Sequence, residues 1–449
     1  MKKLKISLVS LGCPKNLVDA EVMLGHLPQE RFEIIAEDAL ADIIVVNTCS
    51  FIQDAKEESI ETILEVADHK QTGRCRMLIV SGCLPQRYQD ELAEQLPEVD
   101  LFMGTSDAPR IVDLIERQLG LSETTTEISI PDYLYDHSTP RLNSSPFYTS
   151  YIKIADGCSN HCSYCIIPQL RGVLRSRSID SVVAEARALA DKGVREINLI
   201  AQDITAYGAD REDGAAIEPL LRELVKIEKI DWIRLLYAYP DGIRDELINL
   251  IASEDKICNY LDIPLQHIDD QILKQMNRRL DAAGMHNLLV RLRQKIPDLT
   301  LRTSFIVGFP GETAAQFEQL LRFVKEGHFE RVGVFSYSRE EGTSAARFAG
   351  QIPARTKKSR LNRLMKAQAA VSLKLNRQRI GRIEKVLIEG LSDETDLLLK
   401  GRSAGQAPDV DGCCLITDGH AEVGQIVDLL ITDATEYELI GEIEDESTC

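Results

Sequence analysis

Cys158-Ser159-Asn160-His161-Cys162-Ser163-Tyr164-Cys165 sets three thiols at C-x3-C-x2-C spacing, directly after Tyr151 to Ala155, an apolar run with the character of a strand. Three soft ligands this close converge on one metal centre, and thiolates suit both zinc and iron–sulfur clusters. Structural zinc wants four protein ligands in a closed tetrahedron. Only three cysteines are offered here. His161 lies between two of them, where the ligands' own backbone points it elsewhere, and no second C-x2-C pair follows within finger range. Softness and spacing together favour a thiolate-held cluster over zinc.

The chain carrying this motif has 449 residues, more than one hydrophobic core usually serves, so two to three domains are expected. With 44% hydrophobic and 27% charged residues it has the composition of a soluble globular protein. No apolar stretch approaches a membrane span, and Met1-Lys2-Lys3-Leu4 runs into alternating strand residues instead of a signal-peptide core. A cytoplasmic location without membrane attachment is the expectation. Eleven cysteines, an odd number without a secretory signal, argue for reduced thiols and metal ligands over a disulfide frame. Cys75, Cys258, Cys413, Cys414 and Cys449 have no ligand spacing and read as buried or incidental thiols.

Residues 1–120 alternate apolar strands with amphipathic helices: Leu4 to Ser10 then Asn16 to Leu27, Ile43 to Val46 then Asp54 to Ala67, Met77 to Val80 then Arg87 to Leu96. That alternation predicts an α/β unit with a doubly wound parallel sheet. Cys13, Cys49 and Cys83 each fall just past the carboxyl end of one of these strands, and the crevice outside those ends is where such sheets bind ligands. Any one of them alone would be a small residue in a tight turn. Three at one topological position make a second three-thiolate cluster with an open iron the sharper reading.

Residues 121–146 are rich in Ser, Thr, Pro and Asp with little periodicity, and read as a linker or strand-poor crossover. Residues 147–375 offer six strands separated by helical patterns: Tyr151 to Ala155, Glu196 to Ala201, Ile233 to Tyr239, Tyr260 to Pro264, Thr300 to Val307 and Arg331 to Tyr337. Repeated β-α units predict a partial (β/α) barrel with its chemistry at the carboxyl ends of the strands, where the cysteine motif lies. Gly308-Phe309-Pro310-Gly311-Glu312-Thr313 follows the fifth strand. In isolation it is a glycine-rich turn with Thr313 as N-cap. Gln202 and Gln266, each at a strand end, are candidates for polar contacts on the same face, or satisfied structural amides.

Ala354 to Arg379 holds nine Lys or Arg and no acid on a helical pattern, either a solvated connecting helix or a contact for RNA or for the acidic region that follows. Residues 376–449 change to short β-rich runs with Gly and Asp turns, predicting a small all-β barrel. From Ile380 onward seventeen Asp or Glu face four Lys or Arg, a net −13 of the chain's −19. A surface carrying Asp393, Glu394, Asp396, Asp409 and Asp411 should repel phosphate backbones and attract a basic protein.

The cysteine motif, with aromatic Tyr164 before its last thiol, resembles the signature of the radical S-adenosylmethionine (SAM) superfamily, and the Gly308 to Thr313 turn resembles the segment that lies against the adenosyl part of the cofactor in those enzymes. The resemblance implies a 4Fe-4S cluster on Cys158, Cys162 and Cys165 whose open iron chelates SAM, with Tyr164, Gly308 and Glu312 at the cofactor. An electron from the cluster would cleave SAM to a 5′-deoxyadenosyl radical.

Two cysteine triplets, a partial barrel and a β-barrel tail together resemble the methylthiotransferases over essentially the whole chain, in the order N-terminal cluster domain, radical SAM domain, TRAM domain. One branch of that family modifies an adenosine in tRNA; the other modifies an aspartate of small-ribosomal-subunit protein twelve. Ser10-Leu11-Gly12-Cys13-Pro14-Lys15-Asn16-Leu17-Val18-Asp19-Ala20-Glu21 is similar to the ribosomal-protein form, with Ala20 where Ser is commoner, and Tyr260 to His267 is similar to it as well. No ligand position departs. The resemblance implies two uses of SAM: one methylates a sulfur held at an auxiliary 4Fe-4S cluster on Cys13, Cys49 and Cys83, and the other yields the radical that takes a hydrogen from the substrate's β-carbon. It also implies an electron donor as partner. The acidic tail favours the ribosomal protein as the partner of the terminal barrel, with the basic helix against the barrel or adjoining ribosomal RNA. The basic stretch alone would favour a tRNA enzyme, and zinc at the cysteines would leave a non-catalytic RNA-binding protein.

Overall fold

A computed structural model describes residues 3–120, 123–393, 395 and 397–444. In the N-terminal unit six parallel strands, β1 (Leu4–Ser10), β2 (Phe32–Ile34), β3 (Ile43–Thr48), β4 (Met77–Gly82), β5 (Leu101–Met103) and β6 (Thr125–Glu127), run in the order β2-β1-β3-β4-β5-β6. The two central strands are buried throughout, as a sheet covered on both faces requires. Ile43 and Val45 join Ile6, Met77 and Ile79 on one face. Ile44 and Val46 join Leu78 and Val80 on the other. Chain direction across the sheet reverses between β1 and β3, the switch point at which such sheets bind ligands.

This sheet extends past residue 120, since its edge strand β6 lies within 121–146. The chain after β6 is tied down: Arg141 pairs with Glu21 at 2.5 Å and with Glu185 at 2.6 Å, so it straps the first helix, Pro14–Gly25, to the unit that follows. The helical pattern Arg87 to Leu96 is two short helices, Cys83–Tyr88 and Asp90–Gln95, parted at Gln89, whose φ is 49°.

The central unit is an open sheet of six parallel strands in the order β14-β13-β12-β11-β10-β7. Its strands are β7 (Thr149–Lys153), β10 (Glu196–Ile200), β11 (Trp232–Leu235), β12 (Ile257–Asp262), β13 (Thr300–Val307) and β14 (Arg331–Ser336), with the small hairpin β8 (Ala155–Asp156) and β9 (Arg175–Ser176) beside β7. Helices cover the outer face. From the inner face Tyr151, Ile200, Trp232, Leu236 and Tyr260 join one apolar cluster with Ile6 and Met23 of the first unit and Leu387 and Ala407 of the last. The open barrel is therefore plugged from both sides by its neighbours.

The last unit is a closed barrel, β15 (Ile383–Leu391), β16 (Leu399–Ser403), β17 (Cys414–Asp418), β19 (Leu439–Ile443) and β18 (Ile426–Ala434), in that spatial order. Its interior is Val386, Ile388, Cys414, Ile416, Leu429, Ile431 and Leu439. It is anchored by buried polar groups. Arg402 pairs with Glu196 at 2.6 Å, Arg234 with the same carboxylate at 3.0 Å, and Tyr260 donates to Asp411 at 2.6 Å. Asp411, expected on an outward acidic surface, is thus a buried anchor, and Asp409 accepts from Tyr151 at 3.2 Å. Glu394, Asp396 and Cys449 lie outside the described residues. The basic helix, Ala354–Arg377, buries Arg360, Leu364, Gln368, Ser372 and Asn376 at four-residue spacing. Its end reaches the barrel, where Asn376 donates to the carbonyl of Thr435 at 2.9 Å.

Candidate active site

Each cysteine of the first unit follows a strand end, two of them at the switch point and the third after the adjoining strand. Cys13 caps the helix Pro14–Gly25, Cys49 comes directly after β3 and Cys83 directly after β4. Gly12, at φ 90°, lies so near Cys49 that a Cβ there would stand 2.7 Å from that side chain, and this is the close approach that calls for glycine. The three thiols share one field. Burial raises the Cys49 thiol, and Cys13 raises it further. Burial pushes Cys83 up to about 12, with Cys49 and Cys13 adding to the shift and Arg171 opposing it.

The second triplet is a loop pinned at many points. Cys158 N–H donates to the Gly172 carbonyl at 3.0 Å, Ser163 N–H to Met276 at 3.1 Å, Ser163 Oγ to Gln275 at 2.7 Å, and Asn160 Nδ2 to Asp203 at 2.8 Å. Cys162 Sγ stands 3.9 Å from the Tyr239 hydroxyl and 3.8 Å from Arg278 Nη1, whose guanidinium stacks 3.9 Å over the Tyr239 ring. Burial pushes the Cys165 thiol up to about 12 and raises Cys158. Tyr164 packs with Phe309, Tyr337 and Met276 beneath the loop.

A single helical turn, Ile167–Arg171, joins the triplets. It begins two residues after Cys165, its flanking Ile166 and its Leu170 pack on Cys83, and Arg171 Nη2 lies 3.9 Å from Cys83 Sγ. Arg171 also donates to Asn16 at 2.5 Å and to Asp19 at 2.6 Å, both on the helix that Cys13 caps. Lys153 at the end of β7 donates to Asp19 at 2.5 Å and to Asp156 at 2.7 Å. Burial opposes the charged forms, yet their mutual attraction keeps Asp156 below the usual carboxylate range and Lys153 and Arg171 above theirs. Sequence patterns miss this quartet because its partners come from two units. The one legible signal is a lysine inside an otherwise apolar strand, which needs a partner when buried.

Of the other expected residues, Gly308 adopts φ 74° and its N–H donates to the Glu312 carboxylate, which also accepts from Arg360 at 2.9 Å. Glu312 is 2% exposed, with Oε1 unpartnered 3.7 Å from His267 Nε2. Its carboxylate braces the turn from within. Gln202 donates to Asp156 at 2.8 Å while its Oε1 is buried without a partner. Gln266 holds φ 74° at the rim after β12. Cys75, Cys258 and Cys414 are buried in cores, and all the described cysteines are free thiols.

Among the described residues no three Cys, His, Asp or Glu are grouped as the ligands of a single ion. The residues do fit thiolate-held clusters. Each triplet offers three thiols, and burial makes an uncompensated thiolate costly at Cys49, Cys83, Cys158 and Cys165, a cost that coordination by iron removes. Beside the second triplet Gln202 Oε1, Gln275 Oε1 and Arg278 Nε are buried without partners, hydrogen-bonding capacity that a polar cofactor can take up.

Three family models match in succession: Uncharacterized protein family UPF0004 over residues 5–104, the Radical SAM superfamily over 152–324 and the TRAM domain over 380–443. The radical SAM methyltransferase TsrM of Kitasatospora setae, in its structure with cobalamin and a [4Fe-4S] cluster bound, has a similar fold, with a TM-score of 0.56 at 15% identity over 86% of this chain and 81% of that one. These matches define the class, a radical SAM protein with an N-terminal cysteine-bearing domain and a TRAM barrel. Curated relatives narrow it. The chain is 64% identical to ribosomal protein uS12 methylthiotransferase RimO of Syntrophotalea carbinolica, covering 100% of this chain and 98% of the relative. It is 60% identical to RimO of Geobacter sulfurreducens (98% and 99%) and 47% identical to that of Bdellovibrio bacteriovorus (98% and 97%). The chain belongs to the RimO family of radical SAM methylthiotransferases.

Proposed function

We propose that this protein inserts a methylthio group at the β-carbon of an aspartate in ribosomal protein uS12, with Cys158, Cys162 and Cys165 holding one 4Fe-4S cluster and Cys13, Cys49 and Cys83 the other. The observation that carries the reading is the turn Ile167–Arg171, which packs on Cys83 at one side and leads from Cys165 at the other. Two sites sharing one short element can act on one substrate atom.

When bound, the two clusters supply SAM cleavage at one triplet and a holding place for sulfur at the other. An unactivated carbon–hydrogen bond has no acidic proton for a side chain to take, so the protein's part is placement and exclusion. Tyr239 and Arg278 fix Cys162, the 275–278 segment fixes the loop around it, and Arg171 sets a positive charge beside Cys83. Gln202, with its Oε1 unpartnered among the described residues, is the polar group we assign to SAM, while Tyr164 supports the loop from beneath and Glu312 positions Gly308.

The terminal barrel suits a basic protein as its partner. Asp418 on β17 is the register neighbour of Glu442 on β19, and both are exposed, as are Glu422 and Asp433. Like charges directly opposite destabilise a sheet, and a basic partner relieves that cost.

Replacing Cys158, Cys162 and Cys165 with Ala should halve the iron of the anaerobically loaded protein, from about eight atoms for two four-iron clusters, and abolish SAM cleavage. Replacing Cys13, Cys49 and Cys83 should also halve it, end methylthiolation of uS12 and leave SAM cleavage measurable. Equal iron in the second variant and the wild type would sink the two-cluster reading.

A further inference from the structure

Lys15 lies two residues after Cys13 in the first turn of Pro14–Gly25 and is 7% exposed. Its ammonium stands 3.1 Å from the ring centroid of Tyr237 and has no ion pair or hydrogen bond among the described residues. The neighbouring cations differ. Lys153 and Arg171 are matched by Asp19 and Asp156, and Arg302 by Asp262 and Asp411. Asp262 at the end of β12 feels the charge of Lys15, but Arg302 already holds it at 3.0 Å. Lys15 and Arg302 together balance Asp262 and Asp411, but no acceptor among the described residues takes a hydrogen bond from the Lys15 ammonium, and the cation–π contact leaves its N–H donors free for a ligand.

Its position is between the two triplets. Cys13 caps its helix two residues before it, and Tyr237, the platform beneath it, is two residues from Tyr239, which lies 3.9 Å from Cys162 Sγ. Tyr237 holds φ 66°, a left-handed conformation that bulky side chains rarely adopt and that structures retain at working sites. Asp19, one turn beyond Lys15 on the same helix face, is already engaged across the interface, so this face of the helix looks onto the carboxyl ends of the central strands.

We infer that Lys15 is the receptor for the side-chain carboxylate of the substrate, and that it sets the preference for an aspartate over its neutral isostere. The inference rests on the reaction proposed above. The carboxyl carbon of aspartate is bonded to the β-carbon that reacts, so a carboxylate held on Lys15 fixes that carbon between the two cysteine sites.

The test compares wild type, Lys15→Met, Lys15→Gln and Lys15→Arg, each anaerobically loaded and matched for iron content, on uS12 carrying Asp or Asn at the modified position. Dissociation constants come from fluorescence anisotropy, and KM and kcat from mass spectrometry of the product. The wild type should bind the Asp form at least tenfold tighter than the Asn form. Lys15→Met and Lys15→Gln should bring that ratio close to one, mainly by raising Kd and KM for the Asp form, and Lys15→Arg should keep most of it. A residue that merely braces the helix would weaken both substrates alike. Neutral variants that keep the tenfold ratio, or a wild type indifferent to Asp and Asn, overturn the inference and leave the reaction standing. A loaded wild type that leaves uS12 unmodified overturns both.

Discussion

Arg171 is the residue on which the interface between the first two units depends. It is 3% exposed, and its charge is shared among Asp19, Asp156, Asn16 and the Cys83 sulfur. Removing one partner of a buried ionic group strands the others, at about 3–5 kcal/mol. Arg171→Ala should therefore lose about that much stability in denaturant titration and lose iron from the first triplet, while Arg171→Lys, which keeps the charge without the fork, should lose less of both. Glu196 plays the corresponding part under the terminal barrel. Burial would raise its carboxyl, but Arg402 and Arg234 hold it down at about 2. A carboxyl depressed on folding gives stability that is fully present above its unfolded pKa of about 4.3 and is lost as pH falls toward about 2. The shift corresponds to about 3 kcal/mol. Glu196→Gln should thus be less stable than wild type by that order at pH 7, and the gap in unfolding free energy should narrow steadily below pH 4. A gap independent of pH would mean that Glu196 is not ionised in the folded protein.

At the scale of elements, legibility followed length. β1 and β13 match their apolar runs to the residue, because both are long and bounded by polar turns. The three-residue strands β2, β5 and β6 carry too little pattern to be seen, and they form only because a neighbouring strand supplies their hydrogen bonds. The expected strand Ile233 to Tyr239 ends at Leu235, since Tyr237 at φ 66° cannot continue an extended strand. The cysteines were legible from spacing and from their place after strand ends. The Lys153–Asp156–Arg171–Asp19 quartet was not, because charge pairing between units leaves no periodic trace. The turn Ile167–Arg171 is the element to test. Leu170→Ala should open space beside Cys83 and lower iron retention at the first triplet, with a stability loss of about 2–5 kcal/mol. Unchanged iron release in that variant would show that the turn does not support the first triplet.

Across the whole molecule, charge is divided by task. Eight of the nine cations of 354–379 sit on a helix that packs inward with mostly polar residues and reaches the barrel, so the acidic tail has a basic neighbour within the chain itself. Buried Asp411 and Arg402 hold the barrel to the central sheet, while Asp418, Glu422, Asp428, Asp433 and Glu442 are among its outward charges. Reversing Asp418, Asp433 and Glu442 to Lys should slow association with uS12 severalfold, and the difference from wild type should shrink as salt shortens the Debye length below about 8 Å. Association rates that match wild type at low salt would move the docking surface elsewhere. Anaerobic turnover of the loaded enzyme with uS12 and tRNA offered together, read by mass spectrometry of both, should give one methylthio group on the β-carbon of a uS12 aspartate and unmodified tRNA. Methylthiolated tRNA with untouched uS12 would overturn the assignment to the ribosomal protein.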